Sequence, residues 1–124
     1  VNAIFLGFLN QTEIPDAYAM ADVLVLPSNG SETWGLVVNE SLACGTPVVV
    51  SDAVGCSPDL VVEGKTGAVY PMGNTMAMAV TLLHVLNEPP FAQTLNSKIE
   101  AYSVSESANG VIDAMNWLIE HKTR

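Results

Sequence analysis

Two glutamates, Glu32 and Glu40, are separated by seven residues, with Gly35 between them. The run Ser31-Glu32-Thr33-Trp34-Gly35-Leu36-Val37-Val38-Asn39-Glu40 passes from small polar residues into an apolar, helix-like pattern, so one carboxylate precedes a predicted helix and the other lies inside it. The first turn of a helix presents unpaired N–H groups and the positive end of its dipole, and both favour an anion. A glycine there lets a ligand approach the backbone closely, and a diphosphate fits such a site. Glu40 lies about 7 Å further along the helix at the usual rise per residue. A ribose attached to the phosphate would reach it, and an ionised carboxylate can accept hydrogen bonds from both vicinal hydroxyls. Glu32 would face the other end of the phosphate, where a sugar would lie.

The elements that must hold these residues follow from short apolar runs and their punctuation. Residues 3–6, 23–27, 47–51 and 68–70 read as four buried, parallel-type strands. Pro15 opens a helix after the first run, and the segment from Leu36 to Cys44 is a helix closed by Gly45. Residues 55–62 read as a short helical turn, and 64–67 as a tight loop before the last strand. Asn74 or Thr75 caps a helix through Leu86, Pro89-Pro90 breaks it, and residues 91–102 and 105–121 form two more. Met115, Trp117 and Leu118 look like a helix face meeting the core. The alternation implies one α/β domain over residues 1–124, an open parallel Rossmann-like sheet of about four strands with helices on both faces. Ligands of such sheets sit at the carboxyl ends of the strands, which is where the 28–33 loop falls.

Bulk properties narrow the partners. Four Lys+Arg against thirteen Asp+Glu give a net charge of −9, a field that repels nucleic acid and anionic membrane surfaces. The same field disfavours a diphosphate, because no Lys or Arg precedes Lys65. With 49% hydrophobic and only 14% charged residues, the composition suits a buried sheet. No apolar run approaches the roughly 20 residues needed to span a bilayer. Cys44 and Cys56 match neither a C-x-x-C pair nor a zinc-site spacing and are expected as free thiols, which points to a reducing, cytoplasmic compartment. Sequons at Asn10, Asn29 and Asn39 carry little weight, and Asn39 sits within a helical pattern.

Pro27-Ser28, the Glu32-x7-Glu40 spacing, and Ala43-Cys44-Gly45-Thr46-Pro47-Val48-Val49 together resemble the donor-site signature of family 4 retaining glycosyltransferases of the GT-B fold. Residues 55–67 continue that resemblance, which covers roughly residues 1–87. It implies the nucleotide-sugar-binding part of the C-terminal domain, without the acceptor domain or the first strands of the donor domain. The implied reaction moves a sugar from a nucleotide diphosphate to an acceptor hydroxyl with retention and without a metal or other cofactor. The resemblance gives Glu32 a catalytic place beside the donor sugar and Glu40 the ribose. It gives the backbone of Thr33, Trp34, Gly35 and Leu36 the sugar and phosphate, and main-chain groups of Phe8 and Leu9 the base. The Arg and Lys that clamp the diphosphate in the family are not among these residues, so the chain alone is expected to turn over no donor. The first strand, deprived of its usual neighbours, would expose an edge that invites a homodimer.

Other readings stand beside this one. Glu32 and Glu40 could be ordinary solvated carboxylates, and Trp34 a core aromatic covering the helix start. His84 and His121 read as surface residues and Cys44 as a small packed hydrophobe. The main alternative function is a non-catalytic nucleotide-binding or scaffolding module of the same fold. An epimerase-like or phosphorylase-like enzyme would not be expected to carry Glu32 and Glu40 in this frame. A receiver-like signalling domain would need clustered aspartates where only Asp52 stands.

Overall fold

Val48-Val49-Val50 is a β-branched run with no polar interruption, and such a run is stable only where both of its faces are covered. The computed structural model, which describes residues 2–122, places it at the centre of the sheet. Strands β1 (Leu24–Leu26), β2 (Val48–Ser51) and β3 (Gly67–Tyr70) are parallel and lie in the order β1-β2-β3. Leu24, Val25 and Leu26 stand beside Val48, Val49 and Val50, which in turn stand beside Gly67, Ala68 and Val69. All four β2 residues are buried.

The two-residue period of β2 divides the core. Val48 and Val50 point to one face, where they meet Val38 and Leu42 of helix α2 (Leu36–Ala43), Leu60 of α3 (Ser57–Leu60) and Leu95 of α5 (Ala92–Glu100). Val49 points to the other face, where Ala68 and Tyr70 pack with Val85 of α4 (Thr75–Asn87). Helices therefore cover both faces, as expected. α1 (Ile14–Ala19) lies against α2, and Asn74 caps α4 by accepting from the Ala77 N–H at 3.0 Å.

Three features depart from the sequence expectation. The sheet has three strands rather than about four, because residues 3–6 form no strand; Val1 lies outside the described residues. Ile4 and Phe5 are 83% and 95% exposed, so no second element offers that run the ladder or the cover a parallel strand requires. The free sheet edges are consequently those of β1 and β3. Third, α6 (Val104–His121) contains no buried residue. Met115, Trp117 and Leu118 do not meet the core but remain exposed, with Trp117 stacked on the His121 ring at 4.4 Å. No helix among the described residues is long and apolar enough to cross a membrane.

Candidate functional site

The chain leaves β1 at Leu26 and must turn before α2 runs back along the sheet. Ser51, at the end of β2, anchors the start of this turn by donating its hydroxyl to the Ser28 carbonyl at 2.6 Å. Asn29 tightens the next step, its Oδ1 accepting from both the N–H and the hydroxyl of Ser31. The Thr33-Trp34 backbone then crosses directly over Gly55: a Cβ there would sit 1.9 Å from the Thr33 carbonyl oxygen. The neighbouring Cys56 N–H donates to the Trp34 carbonyl at 2.9 Å, which clamps the loop from below.

Gly35 is the N-cap of α2, with φ +96° and ψ +60°, a left-handed conformation that only glycine enters readily. It is buried against Val54, Leu26 and Cys56. Among the described residues no side chain caps this helix. The Gly35 carbonyl takes the Val38 N–H at 2.9 Å, while the N–H groups of Leu36 and Val37 have no protein acceptor among the described residues. Leu36 itself is exposed. An unplugged helix start of this kind holds two amide donors and the positive dipole end available to an anion.

Trp34 is half-buried and packs against the α2 face of the core, as the packing alternative expected. Its indole N–H donates to Asn39 Oδ1 at 2.8 Å, and its ring lies 6.2 Å from that of Tyr102. The bond ties the residue before the glycine to the helix that follows it. It also engages the Asn39 side chain. Glu32 is exposed on the loop, close enough to Cys56 to help hold its thiol protonated.

Glu40 projects toward α1, where its Oε2 accepts the Tyr18 hydroxyl at 2.9 Å. Tyr18 is itself fixed, since Thr46 donates its hydroxyl to the Tyr18 carbonyl at 2.7 Å. Partial burial, and then the hydrogen bond and negative charge of Glu40, push the Tyr18 phenol up to about 12. Glu40, Tyr18, Gln11, Ile14, Pro15, Ala43 and Cys44 line one cavity of about 310 Å³. Its floor is apolar and its single carboxylate keeps lone pairs beyond the one Tyr18 uses, which suits a hydroxyl-bearing ring better than a charged group. Burial and the nearby Glu40 also raise the Cys44 thiol.

The loop and helix thus bring Thr33, Trp34, Gly35 and Leu36 together, with Glu32 before the glycine and Glu40 beyond it. Glu32 does not line the Glu40 cavity. Phe8 and Leu9 precede α1 in irregular backbone, Phe8 exposed and Leu9 half-buried, and neither lines that cavity. Tyr18 is the residue that sequence reasoning missed. In the sequence Ile14, Ala17, Tyr18 and Ala21 keep helical spacing around Pro15, and a tyrosine on such an apolar face needs a partner for its hydroxyl. Among the described residues no group of three or more His, Cys, Asp or Glu side chains is placed to hold a metal.

Residues 1–102 match the sequence model of the family described as Glycosyl transferases group 1. The sulfoquinovosyl transferase SQD2 of Arabidopsis thaliana is 44% identical over 88 residues, 66% of this chain and 17% of that protein. A D-inositol 3-phosphate glycosyltransferase of Streptomyces bingchenggensis is 39% identical over 87 residues, 70% of this chain and 19% of that protein. The structure of sucrose-phosphate synthase from Thermosynechococcus elongatus superposes with a TM-score of 0.81 at 26% identity, covering 94% of this chain and 30% of that one. The chain thus spans about a fifth of the length of these curated relatives.

Proposed function

The chain belongs to the group 1 glycosyl transferases, and from that premise we propose that it forms the donor-binding part of a retaining enzyme that takes its sugar from a nucleotide diphosphate. The observation that carries this reading is the start of α2: a buried left-handed glycine, two amides without an acceptor among the described residues, and a carboxylate on either side. In this reading the pyrophosphate docks on the Leu36 and Val37 N–H groups. Glu40, oriented by Tyr18, accepts the ribose hydroxyls with its remaining lone pairs. Glu32, ahead of the glycine, approaches the hydroxyls of the donor sugar near the reacting carbon. Main-chain groups of Phe8 and Leu9 take the base.

As the bond between sugar and diphosphate stretches, positive charge grows on the sugar and negative charge on the leaving phosphate. Fixed amides aimed at the leaving group stabilise it more in the transition state than in the ground state, and that difference is what accelerates transfer. No metal enters this scheme, so chelation should leave donor binding intact. With a net charge of −9 and no basic residue before Lys65, these amides are the donors the chain supplies at Gly35 itself, with Lys98 further off beyond Trp34 and Tyr102. The remaining charge compensation must come from other parts of the enzyme, and the chain alone should bind nucleotide without turning over donor.

Calorimetric titration with uridine, guanosine and adenosine diphosphates tests the proposal. Saturable binding by one of them, weakened at least about tenfold in Glu40→Ala, is the expected outcome. Absence of binding at millimolar ligand would favour a non-catalytic scaffold of the same fold.

A further inference from the structure

The chain holds only four Lys and Arg residues against thirteen carboxylates. Two of the four, Lys65 and Lys98, line one cavity of about 290 Å³ although they are 33 positions apart in sequence. Lys65 stands in the turn before β3, and Lys98 on α5. The remaining lining is Val62, Thr66, Thr94 and Ser97, so none of the thirteen carboxylates takes part. Neither ammonium has an acidic partner within 4.0 Å among the described residues. Lys98 is held in place by the Tyr102 ring, 5.6 Å from its Nζ.

Two like charges brought to one cavity repel, and the ordinary compensation would be a carboxylate, of which this protein has an excess. Asp59 stands beyond Tyr102, accepting its hydroxyl at 3.2 Å, but no carboxylate lines the cavity itself, which leaves room there for an anionic ligand. Thr66 is already committed, accepting from Val62 N–H and donating to the Leu60 carbonyl, and the Ser97 hydroxyl donates to the Thr94 carbonyl. These bonds fix the cavity wall and leave the two ammonium groups as its reactive feature. A compact ammonium is a point charge well matched to phosphate oxygens, and two of them match a dianion. The protein's overall negative field excludes extended polyanions. We infer that Lys65 and Lys98 form a binding site for the dianionic phosphate group of a small molecule, either inorganic phosphate or a phosphate monoester.

The Lys65 end of this site is remote from the Gly35 region, whereas Lys98 reaches toward it, because the Tyr102 ring beneath its ammonium lies 6.2 Å from that of Trp34. Thr66 immediately precedes the first residue of β3, whereas the loop to Gly35 follows the last residue of β1; in a parallel sheet these are opposite ends. The two are linked through α5, whose Leu95 is buried beside Val38 and Leu42 of α2. A ligand at Lys98 thus bears on the helix that presents the candidate donor site.

Amide NMR on the labelled chain tests this, with inorganic phosphate and glycerol phosphate titrated separately at constant ionic strength set with chloride. The expected result is saturable movement of the Lys65, Thr94 and Ser97 resonances. In the Lys65→Ala/Lys98→Ala double variant the midpoint should rise at least about tenfold, while Lys65→Arg/Lys98→Arg retains binding. Saturation by both probes identifies the phosphate group as the determinant; saturation by glycerol phosphate alone identifies a monoester. No saturable movement with either probe, movement confined to Leu36 and Val37, or unchanged binding in the alanine variant overturns the inference. The supporting readouts, Lys65, Thr94, Ser97 and the alanine variant, do not depend on the donor site, whose own readout is nucleotide binding.

Discussion

Replacing Gly55 with alanine should open the loop that carries Glu32 while leaving the sheet intact. Gly55 has no positive φ, so the substitution adds no backbone strain and its effect is steric. The new Cβ would lie 1.9 Å from the Thr33 carbonyl oxygen and 3.2 Å from the Trp34 Cα. Non-bonded atoms do not approach so closely, and both neighbours are backbone, so no side chain can rotate away. The Thr33-Trp34 segment must withdraw by about 1 Å, which sacrifices the 2.9 Å bond from Cys56 N–H to the Trp34 carbonyl. A lost backbone bond costs about 0.5–1.5 kcal/mol and overpacking about 1–3 kcal/mol, for a total of about 1.5–4.5 kcal/mol. With a urea dependence of about 1–3 kcal/mol per molar, the unfolding midpoint should fall by roughly 1 M. Amide resonances from Glu32 to Gly35 should move, those of β2 should not, and nucleotide affinity should drop tenfold or more because positioning is lost. A midpoint within about 0.2 M of the parent, with unshifted loop resonances, would refute the seating of this loop on Gly55.

Further expectations concern the ionisable groups. Tyr18 should titrate near 12 by ultraviolet difference absorbance, and in Glu40→Gln it should move down toward the ordinary value near 10. Because the folded phenol keeps its proton where the unfolded one has lost it, this contribution to stability is full below pH 10 and disappears as pH rises through about 12; a denaturation series whose stability rises over that window in the parent relative to Tyr18→Phe would contradict it. Cys56 is pushed up to about 11, first by burial and then by the negative charges of Asp59 and Glu32. It should resist a disulfide exchange reagent at neutral pH and react only in urea, and rapid labelling in the native state would place it elsewhere.

The sequence was most informative where one local pattern had a single stable solution. Val48-Val49-Val50 could only be a strand covered on both sides, and Gly35 and Gly45 bracket a helix of the observed length. β1 proved shorter than the apolar run suggested, because Val23 and Pro27 fall outside the ladder and Pro27 has no N–H to give it. The run at residues 3–6 shows the limit of such reading. An apolar tetrad is a strand only if a neighbour offers hydrogen bonds, and the neighbour is not encoded in the tetrad. The apolar face of α6 shows the same limit, since its pattern fixes the helix but not what would cover it. Spacing placed Glu32 before and Glu40 within the helix that Gly35 opens, and the structure has them there. The Tyr18 to Glu40 bond joins residues 22 positions apart, and the Trp34 indole could not be assigned to Asn39 until the loop was folded over Gly55.

The most direct measurement is a titration of the labelled chain with nucleoside diphosphate, followed simultaneously by amide and phosphorus resonances. If the start of α2 receives the pyrophosphate, the Gly35, Leu36 and Val37 amides and both phosphorus signals will shift together with one saturation midpoint. Phosphorus shifts accompanied by amide changes anywhere but at that turn, or no shifts at millimolar nucleotide, would contradict the account.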